Sequence, residues 1–512
     1  MSAEANTYSG KRIAMNAVLL YARTFVVLCV SLYVSRLVLS ALGAENLGIY
    51  NVVGGIVTLM SFFQAALTKS TGRYITYDLG ATRSTEQQSD TFSACLGIHI
   101  LIVIALILFG ETIGLWILAN YTIIPEERLF AAKVIYQLAL FSFSVQILCV
   151  PYSAAIIAHE KMSTLAIISI FEAVLKLVGV VLIVNLNGDM LILYGLVIGM
   201  TALIIFATYV IYVISTMPTY RCIPVWKNET SLNILSFAGW TILGSATNTG
   251  TQQGVALLFN NFVSLIANAA LGFANQVNAA LSQFVNSFTT AFTPQVIKLC
   301  AGNEYASLHN LMTFASKISF VLAYIIALPL ITNMEYILEL WLENVPLYTK
   351  EFCQLILVCT VIDATTGVYN TAITATGKIQ NYQIAISISF TLDLLFAYIL
   401  LVNEVHPALV FGSRILTRGI LNMGIGLYYT KHLIAFDVKE YFKNALIPIL
   451  LVLTFTVPVN LILTHYVEST KLLFTSLILD TILIAGFSYL VILSKSERLT
   501  LQKMIKQKAH AK

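Results

Sequence analysis

Charge is what this sequence has least of. Only 11% of its 512 residues are Asp, Glu, Lys or Arg, against 58% hydrophobic. A soluble domain carries roughly a quarter of its residues as charge. So little charge cannot cover a water-facing surface of this size, which excludes a soluble enzyme, a nucleic-acid binder and a disordered scaffold. Cysteine is sparse as well. The seven (Cys29, Cys95, Cys149, Cys222, Cys300, Cys353, Cys359) form no CxxC pair and fall mostly in apolar runs. They read as small packing residues rather than a disulfide framework or a zinc site. A phosphate-cradling glycine loop, a nucleophile–base pair and a cluster of metal ligands are all missing, and the histidines are scattered. An ATPase is excluded, no catalytic function is expected, and no cofactor is expected beyond an H+ or Na+ gradient. Long loops are absent too: the largest connections, 217–230, 332–351 and 431–444, are too short to hold a folded domain.

What is present is apolar sequence in span-sized pieces. A membrane-crossing helix needs about 20 apolar residues. Runs of that order lie near 13–42, 50–70, 91–118, 129–157, 164–184, 191–214, 232–259, 267–292, 311–331, 352–375, 382–402, 407–429, 446–463 and 472–493. The first is too long for a signal-peptide core and reads as a retained helix. The expectation is an all-α polytopic membrane protein of about fourteen transmembrane helices. Of the 29 lysines and arginines, nineteen fall in one set of loops and ends and four (Arg128, Lys133, Lys350, Lys471) in the opposite set. Positively charged loops stay on the cytoplasmic side, so both termini are expected there. The basic tail 494–512 reads as an orientation signal or as a surface helix on anionic lipid.

The chain also matches itself at an offset of 217 residues. Tyr152, Ala155, Ile156, Ala158 and Lys161 meet Tyr369, Ala372, Ile373, Ala375 and Lys378, and Asn51, Gly55 and Ser70 meet Asn268, Gly272 and Ser287. The unit is six helices, an even number, so the two copies share one orientation. The expected division is a six-helix lobe over 1–228, a second over 229–430, and two appended helices with the tail over 431–512. Two such bundles can enclose a cleft that opens to either side in turn, an arrangement suited to transport.

The six remaining cations lie inside apolar runs: Arg23, Arg36, Lys176, Lys317, Arg414 and Arg418. Each costs roughly 2.5–3.5 kcal/mol at the bilayer centre. Lys317 is close to a span end and is expected to snorkel. Lys176 follows Glu172 by one turn, so the two can pair or line a path. Arg23 sits about ten residues into its helix, roughly 15 Å deep. Arg414 and Arg418 are one turn apart and repel each other unless an anion bridges them. The planar arginine fork suits phosphate oxygens. Arg23, Arg414 and Arg418 are therefore expected to face a cavity as an anion site, with Arg36 open to either reading. In the eighth run Asn268, Asn275, Asn278, Ser282, Asn286, Thr289 and Thr293 recur at helical spacing, and Gln252 lies in the seventh. Such a stripe can pack helices together or line a wet path for sugar hydroxyls. Among the few buried acids, Asp363 and Glu172 are candidates for ion coupling, with salt bridging the alternative.

These features resemble the multidrug/oligosaccharidyl-lipid/polysaccharide (MOP) exporter superfamily, whose MATE-like fold is two six-helix bundles. Fourteen helices as twice six plus two, the segment Leu42-Gly43-Ala44-Glu45-Asn46-Leu47-Gly48-Ile49-Tyr50, Thr293-Pro294 and the paired Lys161 and Lys378 turns are similar to its polysaccharide-flippase (O-antigen-type) branch. The resemblance implies translocation of an undecaprenyl-diphosphate-linked oligosaccharide across a bacterial inner membrane, alongside polysaccharide-assembly proteins. It implies Arg23, Arg36, Arg414 and Arg418 as diphosphate or acidic-sugar contacts. A drug/cation antiporter of the same superfamily predicts an acid-lined cavity instead. A membrane polymerase or transferase predicts a larger outer loop.

Overall fold

Runs this apolar leave the backbone no partner but itself, and a segment that must satisfy its own N–H and C=O groups becomes a helix. In the computed structural model nearly all the described residues are helical, with short turns between helices, and none of them forms a strand. They are all but residues 1, 59, 122–123, 185, 227, 343–344, 465–469, 495–496 and 499–512, so most of the basic tail lies outside them. In chain order the helices are α1 (Ser2–Thr58), α2 (Ser61–Gly80), α3 (Thr85–Phe109), α4 (Leu115–Tyr121), α5 (Leu129–Ala158), α6 (Met162–Ile183), α7 (Met190–Thr216), α8 (Asn228–Phe262) and α9 (Leu265–Ala301). They continue with α10 (Tyr305–Thr332), α11 (Met334–Trp341), α12 (Thr349–Thr376), α13 (Gln380–Val402), α14 (Leu409–Arg414), α15 (Asn422–Ile434), α16 (Val438–Tyr441), α17 (Ile447–Thr464) and α18 (Thr470–Val491).

Among the described residues nine segments are long and apolar enough to cross a membrane. The other five predicted runs are also helical: four are polar or interrupted, and the last is a shorter apolar helix, Thr475–Val491. Lys69, Arg73 and Asp78 stand in α2, amides and hydroxyls interrupt α8 and α9, and a π-helical turn separates α14 from α15. Helix boundaries recur along the chain: α5 and α12, α6 and α13, and the ends of α7 and α15 are offset by 218 to 220 residues.

The Leu42–Tyr50 segment, expected as a connection, is helical apart from one residue. Gly43 has φ +75° and breaks α1 there, a conformation glycine adopts without penalty. Asn46 Nδ2 donates to the Leu42 carbonyl at 2.9 Å, and its Oδ1 accepts from the Arg128 guanidinium. Arg128 also holds Asp189 at 2.7 and 3.3 Å, and Asp189 caps α7 by accepting from the Leu191 N–H at 3.0 Å. The segment thus ties α1 to the starts of α5 and α7.

The chain divides into two compact units, Asn16–Ala246 and Thr247–Lys512 with Met1–Met15, so the division runs through α8. In the first unit, Tyr136 of α5 donates to the Gly110 carbonyl at 2.7 Å where α3 passes into a π-helical turn, Gly110–Gly114. A Cβ at Gly114 would lie 2.0 Å from the Tyr136 hydroxyl, so only glycine fits beneath that ring. In the second unit Phe259, Phe352 and Phe411 pack at centroid distances of 5.2 and 5.0 Å. Lys317 does not snorkel. It is 3% exposed on α10, and its Nζ donates to both oxygens of Glu497 at 3.2 Å.

Candidate functional site

The first unit holds Arg23 and Arg36 on α1 and Glu172 and Lys176 on α6. Helices α1, α6 and α7 enclose a cavity of about 360 Å3 lined by α1 valines with Ser31, Ser35, Lys176 and Tyr194. Lys176 Nζ donates to Glu172 Oε1 at 2.7 Å, the pairing their spacing allows, and both side chains are about 40% exposed. Arg23 is half-buried and lies within electrostatic reach of Tyr209 and Glu172. Its Nε is nevertheless buried without a hydrogen-bond partner. Arg36 is exposed. Arg23 and Lys176 therefore share one carboxylate, and that carboxylate is already bonded to Lys176. A buried guanidinium N–H with no acceptor is costly to leave unmade, and an anion with several lone pairs would satisfy it.

The second unit treats its arginines differently. Arg414 and Arg418 share an anion that the protein itself supplies, although Arg418 Nη2, like Arg23 Nε, is buried without a hydrogen-bond partner. Arg414 Nε donates to Asp393 Oδ2 at 3.3 Å and Arg418 Nε donates to the same oxygen at 3.1 Å, with Thr417 Oγ1 on Oδ1 at 3.3 Å. Asp393, on α13, is fully buried, and the two arginines are 7% and 12% exposed. Their backbone runs through a π-helical turn, Ile415–Leu421, which widens the helix where both side chains converge. Phe411 and Phe390 lie under the two guanidinium groups at 5.4 and 4.9 Å. The bridging anion that one-turn spacing demands is thus a residue of the fold.

The polar stripe of α9 is accessible along its length: Asn275 is exposed, and Asn278 and Ser282 are half-buried. Asn278 Oδ1 accepts from Ser282 Oγ at 3.3 Å and from Thr360 on α12, which joins the stripe to that helix. Asp363 follows Thr360 by three residues on the same face of α12. It is exposed, forms no ion pair among the described residues, and lies within electrostatic reach of Arg418 and Arg414. Gln252 of α8 is exposed and donates weakly to Asn248 Oδ1 at 3.4 Å. Two residues on, Gly254 lets α8 approach α13, since a Cβ there would lie 2.8 Å from Leu394.

Within the first unit the structure groups Arg23, Glu172 and Lys176. Within the second it groups Arg414, Arg418 and Asp363 beside Asn278 and Ser282. Tyr209, Tyr194 and Thr417 were not singled out by sequence, and the sequence gives Asp393 no role beyond that of an acid inside an apolar run. Tyr209, Tyr194 and Asp393 come from other helices than the cations they approach, whereas Thr417 lies between Arg414 and Arg418 and takes its place from the shared contact with Asp393.

No family model matches the chain, and no curated protein matches it. Solved structures do match. A MATE protein in a straight conformation aligns at a TM-score of 0.73 with 12% identity, over 83% of this chain and 96% of its own. An outward-facing multidrug resistance MATE transporter of the MOP superfamily aligns at 0.70 with 13% identity, over 82% and 96%. A MOP superfamily transporter from Pyrococcus furiosus, described as having a binding pocket of reverse polarity, aligns at 0.70 with 14% identity, over 82% and 95%. By its helix order and their superposition, this chain has the fold of MATE-family transporters of the MOP superfamily.

Proposed function

We propose that the protein is an ion-coupled transporter that flips an undecaprenyl-diphosphate-linked oligosaccharide across a bacterial inner membrane, for surface polysaccharide synthesis, with both termini cytoplasmic. The observation that carries this reading is Arg23: a guanidinium inside an apolar helix that forms no ion pair among the described residues and whose buried Nε–H none of them accepts. The Met15–Gly43 span and α6 together carry three cations, Arg23, Arg36 and Lys176, against one carboxylate, Glu172, a surplus of positive charge suited to a diphosphate. The valine-lined cavity beside Lys176 suits an apolar chain, and the amides of α9 suit sugar hydroxyls. Asp363, exposed and unpaired among the described residues, is the candidate for the coupling H+ or Na+. The reverse-polarity pocket described for the Pyrococcus furiosus protein supports departure from drug export within this fold.

Drug/cation antiport is the second reading, and the exposed carboxylate of Asp363 favours it. The two readings differ at Arg23. Cells carrying Arg23→Ala are expected to insert the protein normally but lose surface polysaccharide, and Arg23→Lys to lose less. Normal polymer in Arg23→Ala cells would sink the flippase reading.

A further inference from the structure

Helices α17 and α18 invert the usual arrangement of an apolar helix. The side of α18 that carries Ile478, Ile482 and Leu490 is about 60% exposed at each, whereas Ser476, Asp480, Ile484 and Ser488 form a buried stripe at intervals of four. On α17 the buried stripe is Ile449, Val452, Thr456 and Asn460. The polar atoms of both helices thus point into the protein, and α18 packs there against α17 and α10. Asp480 and Asn460 are each 1% exposed. The Asn460 amide lies within hydrogen-bonding reach of the Asp480 carboxylate. The approach falls short of good hydrogen-bond geometry, so both carboxylate oxygens and both amide heteroatoms are buried without a close partner, and no ion pair reaches Asp480 among the described residues. An uncompensated carboxylate in an apolar interior costs many kcal/mol, so such a group is paired, neutralised or coordinates a cation.

We propose that Asp480 and Asn460 form a site for a hard monovalent cation of the Na+ type. The donor set offers carboxylate and carbonyl oxygen with no nitrogen or sulfur ligand, which selects hard cations. The single negative charge selects a monovalent one, because a divalent ion would leave a buried net positive charge. Thr456, one turn before Asn460, is fixed by Tyr324 of α10 at 2.7 Å and donates to the Val452 carbonyl at 2.7 Å, so a third oxygen is held on the same face. This site lies on helices appended after the second six-helix set and is independent of the transport reading built on Arg23 and Asp363.

The test is equilibrium binding of radioactive Na+ to the purified full-length protein, made in an Asp363→Asn background so that sodium at that carboxylate does not contribute. Saturable binding is expected, displaced by unlabelled NaCl and not by choline chloride. Asp480→Asn is expected to abolish it, and Asn460→Ala to weaken it about tenfold or more. Absence of saturable binding, or binding that survives either substitution unchanged, overturns the site. If Asp480→Asn does not fold, the parent protein and Asn460→Ala decide the question between them.

Discussion

The two units hold intramembrane arginines in opposite ways. In the second, Arg414 and Arg418 close on Asp393, and all three are buried. In the first, Arg23 forms no ion pair among the described residues, and the one acid within its electrostatic reach is bonded to Lys176. A cation whose counter-ion is built into the fold stabilises the fold, whereas a cation without one holds charge ready for something that arrives. Depth in an apolar run is the same for both kinds. What separates them is the partner, and substitution should separate them too.

The largest effect should come from Asp393→Ala, which leaves two buried guanidinium groups without their carboxylate. Breaking a buried pair costs about 3–5 kcal/mol, so the thermal midpoint in detergent should fall sharply or the protein should fail to accumulate. Replacing all three partners, as Asp393→Leu with Arg414→Met and Arg418→Met, should recover most of the loss. Failure of that triple variant to recover would mean the triad does more than neutralise itself. Glu497→Ala should be next. Lys317 is buried, but Glu497 is 21% exposed, which reduces the expected loss to about 2–3 kcal/mol. Lys176→Gln should be smallest in stability, below about 1 kcal/mol, because its ion pair with Glu172 is open to water. A loss in Lys176→Gln as large as that of Asp393→Ala would erase the distinction between the units.

The sequence made the helices legible because lipid-compatible runs admit little else. It also posed the right question at Arg414 and Arg418, since one-turn spacing of like charge requires an anion. The answer was not legible. Asp393 is 21 and 25 residues away on another helix, and a π-helical turn that leaves no local sequence signal sets the arginines' approach. Lys317 was misread for a similar reason: its partner lies 180 residues on, and span-end position alone suggested snorkelling. Glu172 and Lys176 stand one turn apart, and of the two readings that spacing left open the structure shows the pair. The kink at Gly43 was read as a longer connection, because a run of small and polar residues looks like a loop until Asn46 and Arg128 are seen to hold it as helix.

The most direct measurement sets two readouts of Arg23→Ala side by side: its thermal midpoint, and translocation of a fluorescent diphosphate-linked oligosaccharide lipid in proteoliposomes. An arginine without a built-in counter-ion should be dispensable to the fold and necessary to the substrate. The midpoint should stay within about 1 kcal/mol of the parent protein and translocation should be lost. A variant that translocates normally, or that loses translocation only because it unfolds as Asp393→Ala does, would contradict the assignment of Arg23 as the anion contact.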